Sequence, residues 1–259
     1  MAGHNLDPEY IVETVRVLRN RIHERFPDAG LLNVCEDLLS IAERARKRSV
    51  EIGRPMIGIR ILSALIILTI LGALGSVITL IRIPNQPMPA AEMIQVIDAA
   101  FGALVLIGAT FIFLFTLEIR FKRSRALKAI HELRSLVHII DMHQLTKDPE
   151  RVLNRDSLQD TLSSPKRTMN RFQLNRYLDY CSEMLAFCGK IAALYVENFP
   201  DSQAVAAVND LENLTTGLGR KIWQKIMILH SAPVELETVQ QEVGSGDKTA
   251  DPPKTNVDE

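Results

Sequence analysis

Residues 61–81 read ILSALIILTILGALGSVITLI, twenty-one residues with no charge and no proline, enclosed by Arg60 and Arg82. A second uncharged run, AAFGALVLIGATFIFLFTL at 99–117, lies between Asp98 and Glu118. A helix rises 1.5 Å per residue, so about 20 apolar residues cover the roughly 30 Å of a hydrocarbon core. Both runs have that length. A buried helix of a soluble protein is the competing reading, but two such runs in 259 residues leave too little polar chain to cover both. Neither has the place of a signal peptide, the first starting more than fifty residues in. The expectation is a two-span transmembrane hairpin, with spans at about 58–81 and 99–119.

The flanks orient it. Arg44, Arg46, Lys47, Arg48, Arg54 and Arg60 precede the first run, and Arg120, Lys122, Arg123, Arg125 and Lys128 follow the second. The link at 83–98, IPNQPMPAAEMIQVID, has no lysine or arginine. Cationic collars stay on the cytoplasmic side, so both termini are expected in the cytoplasm and the Pro-rich link outside. The layout points to a plasma membrane, and to a bacterial inner membrane in particular. Arg46, Lys47, Arg48, Arg120, Lys122 and Arg123 are the expected topology determinants. Small residues four apart, Gly72 with Ser76, Gly75 with Thr79 and Ala99 with Ala103, are expected to pack the two spans on each other, since close backbone approach replaces the hydrophobic drive that lipid does not supply. No ionisable residue lies within either uncharged run, which weighs against a transporter.

The rest of the chain has helical periodicity, and the expected class is all-α. Asp7-Pro8-Glu9 opens a helix whose Ile11, Val15, Leu18 and Ile22 repeat at helical spacing, and Phe26-Pro27-Asp28-Ala29-Gly30 breaks it. Leu31, Cys35, Leu38 and Ala42 resume the pattern, so residues 1–54 are expected to form a cytoplasmic αα-hairpin, followed by the transmembrane unit at 55–122. No glycine and no proline interrupts 118–148, where Ile130, Leu133, Val137 and Ile140 take a and d positions of a short coiled-coil-like stalk. Asp148-Pro149-Glu150 caps a short helix, Ser163–Arg167 forms a loop, and a helix from Thr168 to Phe199 offers an apolar face of Phe172, Tyr177, Leu178, Cys181, Leu185, Cys188, Ala192 and Tyr195. After Pro200, Asp201 or Ser202 starts a last helix with Val205, Val208, Leu211, Leu218, Ile222 and Ile226. The stalk and these helices, residues 123–230, are expected to make a cytoplasmic helical bundle. Residues 231–259, without Trp, Phe or Tyr and rich in Pro, Gly and charge, form an expected disordered tail.

Chemistry is sparse. A net charge of −1 provides no field for nucleic acid, and the basic residues cluster where topology already accounts for them. Cys35, Cys181 and Cys188 lack metal or redox spacing and fit small buried hydrophobes. No phosphate loop, GxGxxG or GxSxG is present, so neither a cofactor nor a catalytic residue is expected. The segment His131–His143 concentrates three of six histidines. His131, His138 and Asp141 could supply metal ligands, and Ser135, His138 and Asp141 stand in triad order, though one helix rarely gives triad geometry. The favoured reading makes this a structural or partner-binding face, with Arg134, His138, Asp141 and His143 as candidates. Gly217 and Gly219 are read as sites of close packing or bending, and Trp223 as core above a basic surface.

The order of cytoplasmic helices, two spans and a helical cytoplasmic region is similar to the layout of two-span effector modules in bacterial defence operons, a likeness of topology that assigns no residue a role. Three functions follow from these features: a membrane-anchored scaffold or regulator that presents its helical region to a protein partner, a homo-oligomeric pore-forming or membrane-disrupting effector, and a metal-dependent enzyme using His131, His138 and Asp141. The partners expected are the lipid bilayer and either another protein or further copies of the chain.

Overall fold

The computed structural model describes residues 6–80, 89–153, 163 and 169–231. Residues 83–88 of the Pro-rich link, most of the 163–167 loop and the tail beyond 231 lie outside the described residues, while the rest of the expected link, from Ala90, is already helix. Every regular element described is an α-helix: α1 (Pro8–Arg25), α2 (Gly30–Gly53), α3 (Ile57–Leu80), α4 (Ala90–Leu145), α5 (Pro149–Leu153), α6 (Arg171–Glu197) and α7 (Ser202–Ser231).

The starts follow local chemistry. Asp7 caps α1, its Oδ1 accepting the Glu9 N–H at 2.9 Å, with Pro8 in the first turn where its missing N–H costs nothing. Asn170 and Gln173 close a reciprocal capping box on α6, so that helix begins three residues later than the periodicity from Thr168 suggests. Asp201, rather than Ser202, caps α7 through the N–H groups of Gln203 and Ala204. Asp148 accepts the Glu150 N–H at 3.0 Å ahead of α5. α2, after Ala29, and α4, after Pro89, start without a side-chain cap.

α1, α2, the second half of α4, α6 and α7 share one core. The hairpin at the N-terminus and the helices after the second apolar run therefore form one bundle, with no break in packing at residue 54. At its centre is α6, which packs on α1, α2, α4 and α7. Its buried residues come in adjacent pairs, Tyr177–Leu178, Tyr180–Cys181, Met184–Leu185 and Ile191–Ala192, so more than one side of the helix is covered. Phe172 falls outside this core and is exposed in the first turn of the helix, where the Arg25 guanidinium lies over its ring at 5.2 Å.

The two apolar helices project from one end of the bundle. α3 packs only on α4 among the described elements, and Ile61, Leu65, Leu68, Phe101, Leu104 and Phe115 are all more than half exposed. A core helix of a soluble protein would have these side chains inside. Two helices are long and apolar enough to cross a membrane. Their hydroxyls turn inward on their own backbone: Thr69, Ser76, Thr110 and Thr116 each donate to the carbonyl four residues earlier at 2.8–3.0 Å, which satisfies the hydroxyl within the helix.

α4 unites the two regions. At 56 residues it spans about 84 Å. Its first half is exposed apolar surface, and its second half buries Ala126, Ile130, Leu133, Val137 and Ile140 in the bundle.

Candidate functional site

Where the apolar helices meet the bundle, a layer of charged side chains ties four chain segments together. Glu118, one helical turn before Lys122, accepts from Lys122 Nζ at 3.0 Å, Arg60 Nε at 2.8 Å and the Met56 N–H at 3.2 Å. One carboxylate thus holds α3 and the turn before it against α4. Lys122 is buried, and its stem lies along apolar surface while the ammonium meets its counter-charge. The next residue, Arg123, grips Asp201 with Nε at 3.0 Å from both carboxylate oxygens and Nη2 at 2.7 Å from Oδ2. The paired guanidinium holds the Asp201 carboxyl below its ordinary value of 3.8. Because Asp201 also caps α7, a single side chain fixes the start of that helix and its attachment to α4.

Gly53 completes the layer. A Cβ there would stand 2.9 Å from Cβ of Asn198, so the end of α2 reaches the α6–α7 turn only because residue 53 has no side chain. The sequence marked Lys122 and Arg123 for orientation alone. Their ion-pair roles depend on Glu118 and on Asp201, the latter 78 residues from Arg123 in the chain, and only the fold makes that contact visible. Of the other expected determinants, Arg46 is bound to Glu9 at 2.7 Å, while Lys47, Arg48 and Arg120 are exposed.

The histidine segment is divided by the helix it lies on. His131, Arg134, Ser135 and His138 are exposed on the outer face of α4, Asp141 accepts from Gln144 Nε2 at 2.6 Å, and His143 turns the other way, toward Tyr177. Among the described residues, no group of three or more His, Cys, Asp or Glu side chains is gathered for a metal ion, and His131, His138 and Asp141 do not form one. The Ser135 hydroxyl donates to the His131 carbonyl at 3.2 Å, a helix-internal bond.

Three further expectations are corrected by the packing. Cβ atoms built on Gly72 and Gly75 meet nothing within 4 Å, and Ala99 and Ala103 are exposed, so these four residues do not pack α3 on α4 in the single chain. Gly217 and Gly219 likewise have open space around them. Trp223 is 62% exposed: it flanks the buried stripe of Ile222 and Ile226 on α7, outside the core. The cysteines behave as the sequence suggested. All three are buried free thiols, each pushed up to about 12 by burial and so held protonated and unreactive. Searches of protein-family models, curated proteins and solved structures give no match to this chain.

Proposed function

We propose that this chain is a membrane-anchored helical regulator: α3 and the first half of α4 cross the plasma membrane as a hairpin, and the bundle faces the cytoplasm and offers its surface to a protein partner. The observation that supports this reading best is the continuity of α4, a single helix that is lipid-length apolar surface at one end and bundle core at the other. A rigid element shared by two regions lets a contact on one bias the other. The Glu118 and Arg123–Asp201 ties add to that support by joining α3 and α7 to the same helix. The exposed outer face of α4, with Arg134 and His138, and the exposed Trp223 are the surfaces proposed for the partner, since aromatic and arginine side chains dominate contact energies.

The test is in vivo photocrosslinking from Arg134, His138 and Trp223 positions in native membranes. One specific adduct, recovered from the membrane fraction and lost when the tethering helices are deleted, is the expected outcome. No specific adduct under several growth conditions, or a reporter at either terminus giving an exterior location, removes the reading.

A second reading, a homo-oligomeric pore, draws on the open space around Gly72 and Gly75, which leaves small-residue surface for another copy. Conductance by the purified chain in planar bilayers would favour it. A monomer in mild detergent with no conductance would rule it out.

A further inference from the structure

The end of the bundle farthest from the apolar helices contains a recess of about 740 Å³, in the size range of small-molecule sites. It lies between the α1–α2 turn, the C-terminal end of α4 and the start of α6. Arg25, Asp28, His143, Lys147, Gln173 and Tyr177 supply its polar lining. Arg25 and Lys147 approach from different elements, and among the described residues neither has a carboxylate partner. Each is instead over an aromatic face, Arg25 over Phe172 at 5.2 Å and Lys147 over Tyr177 at 5.0 Å. Arg25 also lines an adjoining recess of about 520 Å³ with Arg21, Arg176 and one acid, Glu24. Asp28 is the one acid in the larger recess.

We propose that this recess binds a small organic phosphate, with the phosphate bridging Arg25 and Lys147 and the organic remainder on Met142 and Met169. A phosphate fits for three reasons. Its oxygens accept the two-pronged guanidinium bond and a point-charge ammonium together. At neutral pH its charge matches two cations that have no carboxylate partner among the described residues. The recess is larger than a bare ion, and the two thioethers in its lining suit an apolar or ring-bearing group. His143 stands beside Lys147 with Tyr177 Oη at 3.4 Å from its Nδ1, which ties the two walls of the recess to each other. Such a ligand would link the α1–α2 turn to the last turn of α4, the helix that continues into the second apolar segment. The inference stands on the recess and holds whether or not a protein partner exists.

The test uses the full chain in detergent micelles, titrated calorimetrically with phenyl phosphate and with inorganic phosphate at constant ionic strength. Saturable binding of phenyl phosphate is expected. Arg25→Gln and Lys147→Gln should each weaken it about tenfold, Lys147→Arg should restore most of it, and the exposed Lys221→Gln should leave it unchanged. Far-UV circular dichroism checks that each variant keeps its helices. Absence of saturable binding of both probes to the native chain overturns the proposal, as does an equal loss in Lys221→Gln, which would mean diffuse charge attraction.

Discussion

Two glycines occupy positions where a methyl group meets another part of the chain, and the two differ in what must give way. At Gly30 the obstacle is the tip of the His143 ring, 2.8 Å from a built Cβ, which a side-chain rotation can relieve. At Gly53 the obstacle is Cβ of Asn198, which moves only with its backbone. Gly53→Ala should therefore lower stability by about 1–3 kcal/mol despite alanine's better helix propensity, read as a lower denaturation midpoint of the purified chain. His143 makes a pH prediction. Burial, and then the Lys147 charge, lowers its pKa from the ordinary 6.5, with Tyr177 the other group facing it. Below pH 6.5 the unfolded chain takes up a proton at this site more readily than the folded one, so stability must fall on acidification. The melting temperature should drop between pH 7 and pH 5, and His143→Gln should remove part of that drop. An unchanged pH profile in the variant would count against this assignment.

At the scale of elements, α7 begins where it does because Asp201 performs two tasks. Its carboxylate oxygens take the first N–H groups of the helix and the guanidinium of Arg123, and its side chain is only 6% exposed. Asp201→Ala removes cap and counter-charge together and should cost about 2–4 kcal/mol. Asp201→Asn keeps a capping oxygen and should cost about half as much, a difference that denaturant titration with Arg123→Ala in a double-mutant cycle can separate. The carboxyl is depressed in the folded state, so the stabilisation is present above its unfolded value of 3.8 and is lost as the pH falls below that. Periodicity predicted this helix well, since Val208, Leu211, Leu218, Ile222 and Ile226 are all buried and only Val205 of the expected stripe is half-buried. It failed for Trp223 and Phe172 because an apolar residue next to an apolar stripe is buried only if some other element comes to cover it.

In the whole molecule, α1, α2, α4, α6 and α7 bury their apolar faces in a single core around α6, and no second core is seen among the described residues. Leu18 on α1 and Leu133 on α4 are both almost fully buried, although 115 residues apart in the chain. Leu18→Ala and Leu133→Ala should each cost about 2–5 kcal/mol, and each should shift one common unfolding transition of the bundle, followed by near-UV and far-UV circular dichroism. Separate transitions, with only the N-terminal helices melting in Leu18→Ala, would show that the hairpin is an independent unit. The bundle and the apolar helices differ in what covers their side chains. The first is covered by its own chain, and the second exposes side chains such as Leu68 and Phe115 for which the protein provides no cover.

What the sequence determined by itself was everything set by neighbours in the chain: the all-helical class, the two apolar lengths, the caps at Asp7 and Asp148, and the uninterrupted path of α4 through 118–145. These depend on properties that span one to six turns of helix. What only the tertiary structure decided was which faces meet: α6 at the centre of five helices, His143 turned away from His131 and His138, Lys122 and Arg123 committed to Glu118 and Asp201, and the small residues of α3 left open. A helical period says that a stripe is apolar, but the stripe's partner is chosen by packing between segments far apart in the chain, and that choice leaves no trace in the local spacing of residues.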